Sequence, residues 1–355
     1  MKQYINCSLK PYHTFGMEVT AYRLVEYETI EELRDLLHRI RTEWSGKPWL
    51  HIGGGSNLLF IGNFFPGVVL HSSLSDMDVI QEDEHEVFLR VGSGMVWDDL
   101  VAYSVARGWG GMENLSAIPG EVGASAVQNI GAYGREVKDL IVSVETLAVA
   151  TGEVCRFSCE DCKYGYRSSI FKNQLRGQHI VTHVTYRLQK KPTFYLDYGN
   201  IRTELADQPV TLKSVRNAVM SIRQAKLPDP AEFGNAGSFF VNPVVDRCVF
   251  ERIYAEYPGM PYYEVDESHV KIPAGWLIEQ SGWKGRSLGR AAVHDKQALV
   301  LINTGNATGG EVMTLARTIQ RKIRECFGIE IQPEVNVVQC YTTDFDVNIN
   351  VNFGE

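Results

Sequence analysis

Two glycine-rich segments constrain the fold of this chain more than any other feature of its sequence. The first, residues 53–57 (GGGSN), directly follows the apolar run Trp49–Ile52, which predicts a strand ending in a tight turn. The second, residues 108–134, is dense in glycine and contains the turn Ile118-Pro119-Gly120. Backbone without side chains can approach another group closely, so each segment is a tight turn, a close packing contact or a ligand loop.

The turn at 53–57 suits a phosphate or pyrophosphate group. Backbone N–H groups converge there without obstruction by Cβ atoms, and Ser56 and Asn57 add side-chain donors. The segment is not a P-loop, because no Gly-Lys-Ser/Thr sequence ends it, and Leu58 occupies the third glycine position of the dinucleotide fingerprint. Taken alone, an anion site and an ordinary turn are both compatible with this segment.

The second segment adds small residues at 123–126 (GASA) and amide and hydroxyl groups at 128–134 (QNIGAYG). A flat ring or a phosphate could touch the backbone at the small residues, although close packing of a helix on a strand has the same composition. Two such segments in one chain favour a large nucleotide cofactor.

The rest of the pattern predicts an α+β chain in three parts, divided near residues 72 and 227, with a hinge at 226–230 (KLPDP). Predicted helices occupy residues 27–42 (with Thr29 as N-cap), 98–107, 210–226 and 310–327. Predicted strands occupy residues 49–52, parts of 66–92, 141–157 (with a hairpin turn at Thr151-Gly152), 179–188 and 329–338, the last interrupted by Pro333.

Composition and charge exclude several classes of protein. The 355 residues carry 35 Lys+Arg and 43 Asp+Glu, and a net charge of −8 argues against bulk nucleic-acid binding. No apolar run is long enough for a membrane span and the first residues lack a signal-peptide core, which predicts a cytoplasmic protein without membrane insertion. We therefore expect reduced thiols rather than disulfides.

Three cysteines, Cys155, Cys159 and Cys162, have the spacing of a radical S-adenosylmethionine iron–sulfur motif. Asp161 stands where that family has an aromatic residue, and the run follows a hairpin in the middle of the chain. The spacing also lacks the fourth ligand of a zinc site. We expect no metal, and three unrelated cysteines are the favoured interpretation.

Three further residues have both a structural and a chemical interpretation. Arg167, among aromatic residues, is either a surface arginine or a bidentate carboxylate clamp. Ser238, in a small-residue turn, is a turn residue, a nucleophile or a proton donor. Glu334 lies in an apolar run, either at a solvated strand edge or in a site that tunes it. The histidines form no convincing catalytic or metal set.

Together these segments resemble one family closely, the UDP-N-acetylenolpyruvoylglucosamine reductases, in their longer type I variant. The resemblance runs from Leu9 to Val335 through motifs that include GGGSNLLF at 53–60, ENLSAIPGEVGASAVQNIGAYG at 113–134, GYRSSIFK at 165–172, KLPDP at 226–230, NAGSFFVNPVV at 235–245, AGWLIEQSGWKG from 274 and AAVHDKQALVLIN ending at 303.

The resemblance implies an FAD-binding domain of the vanillyl-alcohol-oxidase type, built from two α+β subdomains, and a C-terminal α+β substrate-binding domain. The implied parts are residues 1–72, to which 335–355 return, then 73–226, and then 227–334. It also implies non-covalent FAD, NADPH as hydride donor, and reduction of UDP-N-acetylglucosamine enolpyruvate to UDP-N-acetylmuramate in peptidoglycan precursor synthesis by a monomer. Another FAD oxidoreductase of the same fold, or an inert homologue, is the alternative.

The family's residue roles carry over by position. Ser238 matches the serine that protonates the enol, and Arg167 and Glu334 match the pair that stabilises the enolate. The flavin-binding stretches match Gly53, Gly54, Gly55, Ser56, Asn57, Ser116, Ile118, Pro119, Gly123 and Ser125. The substrate-binding positions match Tyr198, Lys226, Asn242, Lys284 and Gln297. Two departures are Ser168, where the family often has Asp, and Gly54, where Glu can occur.

Overall fold

A computed structural model describes residues 1–341, and residues 342–355 lie outside the described residues. The helices are α1 (Ile30–Arg41), α2 (Trp97–Ala106), α3 (Val122–Gln128), α4 (Ile201–Leu205), α5 (Leu212–Lys226), α6 (Arg247–Glu256), α7 (Ala274–Gln280) and α8 (Gly309–Phe327). Short 3-10 turns occupy Lys10–Tyr12, Glu113–Leu115 and Val137–Asp139.

The first ten strands are β1 (Lys2–Ser8), β2 (Thr20–Tyr27), β3 (Trp49–Ile52), β4 (Leu58–Phe60), β5 (Phe64–Ser72), β6 (Met77–Glu82), β7 (Glu86–Gly92), β8 (Gly131–Ala132), β9 (Arg135–Glu136) and β10 (Ile141–Ala148). The others are β11 (Val154–Ser158), β12 (His179–Gln189), β13 (Gly234–Ser238), β14 (Val244–Asp246), β15 (Tyr263–Glu264), β16 (His269–Lys271), β17 (Ser287–Leu288), β18 (Ala291–Val293), β19 (Val300–Asn303) and β20 (Asn336–Val338).

Backbone contacts group the chain into two compact units. Unit 1 contains Met1–Cys7, Tyr22–Gly54 and Gly67–Ala225, and unit 2 contains Ser8–Ala21, Gly55–Pro66 and the chain from Lys226 onward. The three-part functional division stays a prediction. That division returns residues 335–355 to the first part. Within this segment, β20 pairs in parallel with β4, and residues 342–355 lie outside the described range.

Unit 1 holds a sheet of order β1-β2-β5-β3 beside helix α1. This helix forms as its sequence predicts, because Leu33, Leu36, Leu37 and Ile40 recur on one face and are all buried. The Thr29 hydroxyl accepts the Glu32 N–H at 3.1 Å, which confirms the predicted N-cap. Strand β3 ends at Ile52 as predicted, directly before the glycine turn.

The second sheet of unit 1 is antiparallel, in the order β11-β10-β12-β7-β6. The hairpin between β10 and β11 turns at the predicted position, where Gly152 adopts φ +72°. Helices α2 and α3 cover a core that includes Trp97, Val122 and Tyr186, all nearly or fully buried. The second glycine-rich segment consists of α3 and the loops on either side of it.

Unit 2 holds a sheet of order β13-β19-β18-β17 and a three-stranded sheet of order β14-β16-β15. Helix α8 begins with a capping box, in which the Thr308 hydroxyl accepts the Glu311 N–H and the Glu311 carboxylate accepts the Thr308 N–H. The helix ends at Gly328, whose φ is +71°. The mixed helices and strands of the two units confirm the predicted α+β class.

The strand predicted at 329–338 is wrong for most of its length, since only Asn336–Val338 forms a regular strand. Ile331 is buried, but its carbonyl accepts the Gln320 side-chain amide at 2.8 Å rather than a neighbouring strand. Pro333 supplies no N–H to a ladder. Before β20, pairing of this run is limited to an isolated antiparallel bridge between Pro333 and Phe240. The apolar run therefore predicted burial correctly, but most of it does not form a regular strand.

Within residues 1–341, no helix combines the length and apolar character needed to cross a membrane. The same residues contain no cluster of three or more His, Cys, Asp or Glu side chains arranged to hold a metal ion. Cys162 is fully buried, and burial raises the pKa of its thiol to about 12. That environment is typical of an unreactive structural cysteine.

Candidate active site

The two glycine-rich segments meet in unit 1, backbone against backbone. A Cβ atom added to Gly54 would lie 3.2 Å from Gly120 Cα, and one added to Gly53 would lie 3.2 Å from Glu121 Oε2. The sequence indicated two separate small-residue segments, and the β-sheet places the end of β3 beside the turn that precedes α3. Both turns therefore present main chain, with no side chain from Gly53, Gly54 or Gly120 in the way.

The same turn continues into unit 2 at Gly55, whose φ is +62°. A Cβ atom there would overlap the carbonyl oxygen of Tyr12 and lie 2.5 Å from His13 Cα, so glycine is required for both conformation and space. Asn57 Nδ2 donates to the Glu334 carbonyl at 3.3 Å, and the Asn57 carbonyl accepts the Asn336 N–H at 3.0 Å. Asn57 thus anchors the chain on both sides of Val335, a structural role that the sequence did not indicate.

Two serines predicted to bind the cofactor are buried, and their hydroxyls are used within unit 1. Ser116 Oγ donates to the Glu113 carbonyl at 2.6 Å, and Ser125 Oγ donates to the Val122 carbonyl at 2.7 Å. Each hydroxyl oxygen can still accept a hydrogen bond from a ligand, and the surrounding main chain offers further contacts.

The other predicted cofactor-binding positions of the second glycine-rich segment differ in exposure and in how closely other atoms pack around them. Ile118 is half-buried and Pro119 is exposed. A Cβ atom on Gly123 would lie 2.8 Å from Ser93 Cβ, which is the close packing that its composition also allowed. Gly123 is therefore required by the fold, whatever it contributes to a ligand.

The residues present fit a flavin dinucleotide. Because Gly53, Gly54 and Gly120 carry no side chain, the two turns pack closely on each other, and their main chain is not shielded by side chains of its own from a sugar-phosphate group. Beside it stands a buried carboxylate, Glu121, whose Oε2 has no hydrogen-bond partner within the described chain. Such an orphaned acceptor suits a hydroxyl or ring N–H, groups in which FAD is rich.

A buried polar network extends from this carboxylate into the sheet of unit 1, and no sequence motif indicated it. His71 Nε2 lies 2.9 Å from Glu121 Oε1, and His71 Nδ1 lies 3.7 Å from Glu26 Oε1. Burial alone would lower the pKa of His71, but the hydrogen bond to Glu121 and the charges of Glu121 and Glu26 raise it above its ordinary value. The only available signal was a histidine in the otherwise apolar strand β5.

A second histidine of this network, His51, has the opposite shift. Its Nε2 lies 2.8 Å from the hydroxyl of the fully buried Tyr27. Burial, reinforced by the neighbouring charge of His71, lowers the pKa of His51 to about 3. His51 is therefore neutral in the folded chain at every pH above about 4, whereas it takes up a proton near pH 6.5 in the unfolded chain.

His51 should therefore make the protein sensitive to acid. Between pH 6.5 and 3 the unfolded chain binds a proton that the folded chain does not, which removes about 1.4 kcal/mol of stability per pH unit. From pH 7.5 to 5, we expect wild type to lose about 2 kcal/mol more unfolding free energy than His51→Gln. Urea titration at the two pH values measures this. The His38→Gln variant, at an exposed position, should lose as much unfolding free energy as wild type. If His51→Gln also lost as much as wild type, the lowered pKa assigned to His51 would be wrong.

Arg167 occupies a tight turn of unit 1, with reciprocal backbone hydrogen bonds between Gly165 and Ser168. Its φ is +54°, an unfavourable conformation for a side chain other than glycine. Its Nη2 donates to the Gly131 carbonyl at 2.9 Å. The Ser168 hydroxyl, where the family often has Asp, accepts from Asn173 Nδ2 at 2.8 Å. The guanidinium is therefore oriented by the main chain of the second glycine segment.

Ser238 and Glu334 are brought together in unit 2, although 96 positions separate their numbers in the sequence. The Glu334 N–H donates to the carbonyl of Phe239, the residue after Ser238, at 2.8 Å. Ser238 is half-buried and follows Gly237, whose φ is +67°. Its Oγ makes no hydrogen bond to the described residues of its unit, so the hydroxyl proton can be directed to a ligand.

Tyr198 lines a cavity of about 230 Å³ in unit 1, together with Tyr133, Gly134, Tyr195 and Asp197. Tyr198 is 49% exposed, and a Cβ atom added to Gly134 would lie 3.3 Å from Tyr198 Cβ. Such a half-open aromatic cavity is suited to stacking a planar ring.

The remaining predicted substrate positions lie in unit 2. Asn242 Oδ1 accepts the Ala274 N–H at 2.9 Å, and Gln297 Oε1 would lie 3.4 Å from a Cβ atom on Gly275. Both side chains therefore lie at the start of α7. Lys284 forms an ion pair with Glu279 at 2.9 Å, whereas Lys226 is exposed at the end of α5.

Comparison with known protein families finds two matching models. One, described as the C-terminal domain of UDP-N-acetylenolpyruvoylglucosamine reductase, matches residues 229–338. The other, described as an FAD binding domain, matches residues 22–158. The second match includes the glycine turn at 53–57 and the turn at 120–121.

Curated relatives match over nearly their full length. A UDP-N-acetylenolpyruvoylglucosamine reductase of Bacteroides fragilis is 53% identical over 332 residues, covering 93% of this chain and 98% of its own. One of Flavobacterium johnsoniae is 45% identical over 337 residues, covering 94% and 98%. The crystal structure of the Thermus caldophilus reductase aligns with a TM-score of 0.66 at 24% identity, over 95% of this chain and 98% of that one, which indicates a shared fold.

Proposed function

The chain belongs to the UDP-N-acetylenolpyruvoylglucosamine reductase family, and on this premise we propose that it reduces UDP-N-acetylglucosamine enolpyruvate to UDP-N-acetylmuramate. FAD is its cofactor, NADPH is the hydride donor, and the reaction serves peptidoglycan precursor synthesis in the cytoplasm. The observation that carries this proposal is 53% identity over 93% of the chain to a relative of that name. We further propose that the chain acts as a monomer.

When bound, FAD supplies the hydride chemistry, accepting a hydride from NADPH and delivering it to the β-carbon of the enolpyruvyl group. The protein must then bring a proton to the α-carbon. We assign this step to Ser238, because its hydroxyl is held at a strand end by main chain and has no competing acceptor among the described residues of unit 2. An alcohol is a weak acid, so the developing enolate must draw the proton in a site that excludes water.

Arg167 and Glu334 are the groups proposed to act on the enolate and its carboxylate. A guanidinium offers a charged fork of N–H donors to a carboxylate, which is the strongest hydrogen-bonding arrangement available to a side chain. Glu334 can contribute only as a protonated acid or by sharing a proton, because a bare carboxylate would repel the enolate. Its support is the backbone hydrogen bond that sets it beside Ser238.

The nucleotide part of the substrate is assigned to Tyr198, Lys226, Asn242, Lys284 and Gln297. The exposed Tyr198 ring is suited to cover a uracil or sugar face, and the lysines supply positive charge for a diphosphate in a protein of net charge −8. The Lys284–Glu279 ion pair would have to open for that lysine to bind phosphate.

The visible spectrum of the purified protein tests the whole proposal. Under anaerobic conditions, we expect a flavin band that bleaches on addition of NADPH and returns on addition of UDP-N-acetylglucosamine enolpyruvate. These two changes would establish cofactor, donor and acceptor in one cuvette. Bleaching without recovery would point to another flavin oxidoreductase, and a colourless protein that takes up no FAD would point to an inert homologue.

A further inference from the structure

A second cavity lies in unit 2, beside the second half of α8. Its volume is about 290 Å³, and it is lined by arginines of α8 together with residues 330–332. The side-chain amide of Gln320, which also lines the cavity, donates to the Ile331 carbonyl at 2.8 Å. This hydrogen bond ties the helix to the segment that follows it, so the two walls are held together. We call this space the arginine cavity.

Three positive charges line the arginine cavity with a single negative one. Arg317, Arg321 and Arg324 occupy positions i, i+4 and i+7 of α8, a spacing at which like charges repel and weaken a helix. Arg324 Nη2 pairs with Glu330 Oε1 at 2.7 Å. Neither the Arg317 nor the Arg321 side chain forms a hydrogen bond or ion pair with residues 1–341. The lining therefore has a net charge of +2, in a protein of net charge −8.

The chemistry of the two unpaired arginines indicates what a ligand must offer. A guanidinium group binds phosphate oxygens through parallel, charge-assisted N–H bonds. A single carboxylate would balance only one of the two excess charges, whereas a diphosphate carries enough negative charge and enough oxygens for both arginines. The cavity volume lies at the lower end of the range for small-molecule sites, which suits a compact anion.

We propose that the arginine cavity binds the diphosphate group of a small phosphorylated compound, held by Arg317 and Arg321. The site is distinct from Lys226 and Lys284, the lysines assigned above to the substrate diphosphate, because neither of them lines this cavity. The proposal therefore adds a ligand site to the proposed reaction and does not depend on that reaction. The ion pair of Arg324 with Glu330 at the same cavity should limit how tightly the anion binds.

Isothermal titration of inorganic pyrophosphate into the FAD-loaded protein, in buffer free of divalent cations, tests the proposal. We expect a dissociation constant below about 1 mM for wild type, and weaker binding of inorganic phosphate. Arg317→Gln and Arg321→Gln should each weaken pyrophosphate binding about 10-fold. Lys322→Gln is the matched control, because it removes an exposed positive charge beside Arg321 that does not line the cavity. It should change the affinity less than about twofold.

A variant with the opposite expected sign sharpens the test. Glu330→Gln removes the one carboxylate among the described lining residues and releases Arg324, so pyrophosphate should bind about 3-fold more tightly. Wild type that binds nothing at about 10 mM overturns the proposal, as does equal binding of phosphate and pyrophosphate. Unchanged affinity in Arg317→Gln and Arg321→Gln, with a loss in Lys226→Gln, would place pyrophosphate at the proposed substrate site instead. Thermal melting checks folding, and if an arginine variant does not fold, the direction of the Glu330→Gln effect decides.

Discussion

Replacing Ser238 by alanine is expected to lower turnover about 100- to 10,000-fold, while NADPH still reduces the bound cofactor at the wild-type rate. The hydroxyl is proposed to protonate the α-carbon, a step that follows hydride delivery, so its loss should leave the first half of the reaction intact. The backbone around it is held by the Phe239 N–H bond to the Leu299 carbonyl at 2.8 Å. Removing Oγ therefore deletes a proton donor without disturbing a hydrogen bond of the fold.

Rapid-mixing absorbance at the flavin band measures the two halves separately. Ser281→Ala is the control, since that hydroxyl also lies in unit 2 but donates to the Ile278 carbonyl. Ser238→Cys should recover part of the second half-reaction, because a thiol is a stronger acid than an alcohol. Wild-type turnover in Ser238→Ala would eliminate the proton-donor role, and slow reduction by NADPH would show a general loss of structure instead.

The largest expected effect on stability is at Gly309, the first residue of α8. A Cβ atom there would overlap the Phe60 carbonyl oxygen and lie 2.9 Å from Ile61 Cα. These are main-chain atoms of β4 and its following turn, so no side-chain rotation can make room, and either the strand or the helix start must move. We expect Gly309→Ala to lower the unfolding free energy of the protein by about 3 kcal/mol.

The neighbouring glycine provides a matched control. A Cβ atom on Gly310 would come no closer than 3.8 Å to another atom, and alanine favours the helix by up to about 1 kcal/mol. Gly310→Ala should therefore be neutral or slightly stabilising. Urea unfolding of both variants makes the comparison within one helical turn, and equal stability of the two would show that β4 and α8 are not packed as described.

Prediction from sequence succeeded where a few neighbouring residues decide the outcome. The N-cap at Thr29, the strand end at Ile52 and the turn at Gly152 all depend on local hydrogen bonds and on glycine conformation. It failed at Ile331, where burial was correct but the carbonyl pairs with Gln320 instead of a strand. The carbonyl of a buried isoleucine can bond either to a side chain or to a neighbouring strand, so hydropathy does not distinguish the two.

For the candidate site, the roles of Ser238, Arg167 and Glu334 came from the family resemblance rather than from the residues alone, and they stay predictions. The family itself, and FAD as cofactor, are confirmed by the matches to known proteins. The network of His71, Glu121 and His51 was missed because its members are far apart in the chain and no motif assigned any of them a role. Each looked like an isolated polar residue in the sequence.

The sequence by itself therefore determined helices α1, α2, α5 and α8, the strand end at Ile52, the turn at Gly152 and the chemical groups available, because these depend on a few adjacent residues. Only the tertiary structure decided which distant residues meet: Gly54 with Gly120, His71 with Glu121, and Asn57 with Glu334. Those pairings follow from sheet register and loop closure, which sum many weak contacts across the whole chain. No local sequence pattern determines the combined effect of these contacts.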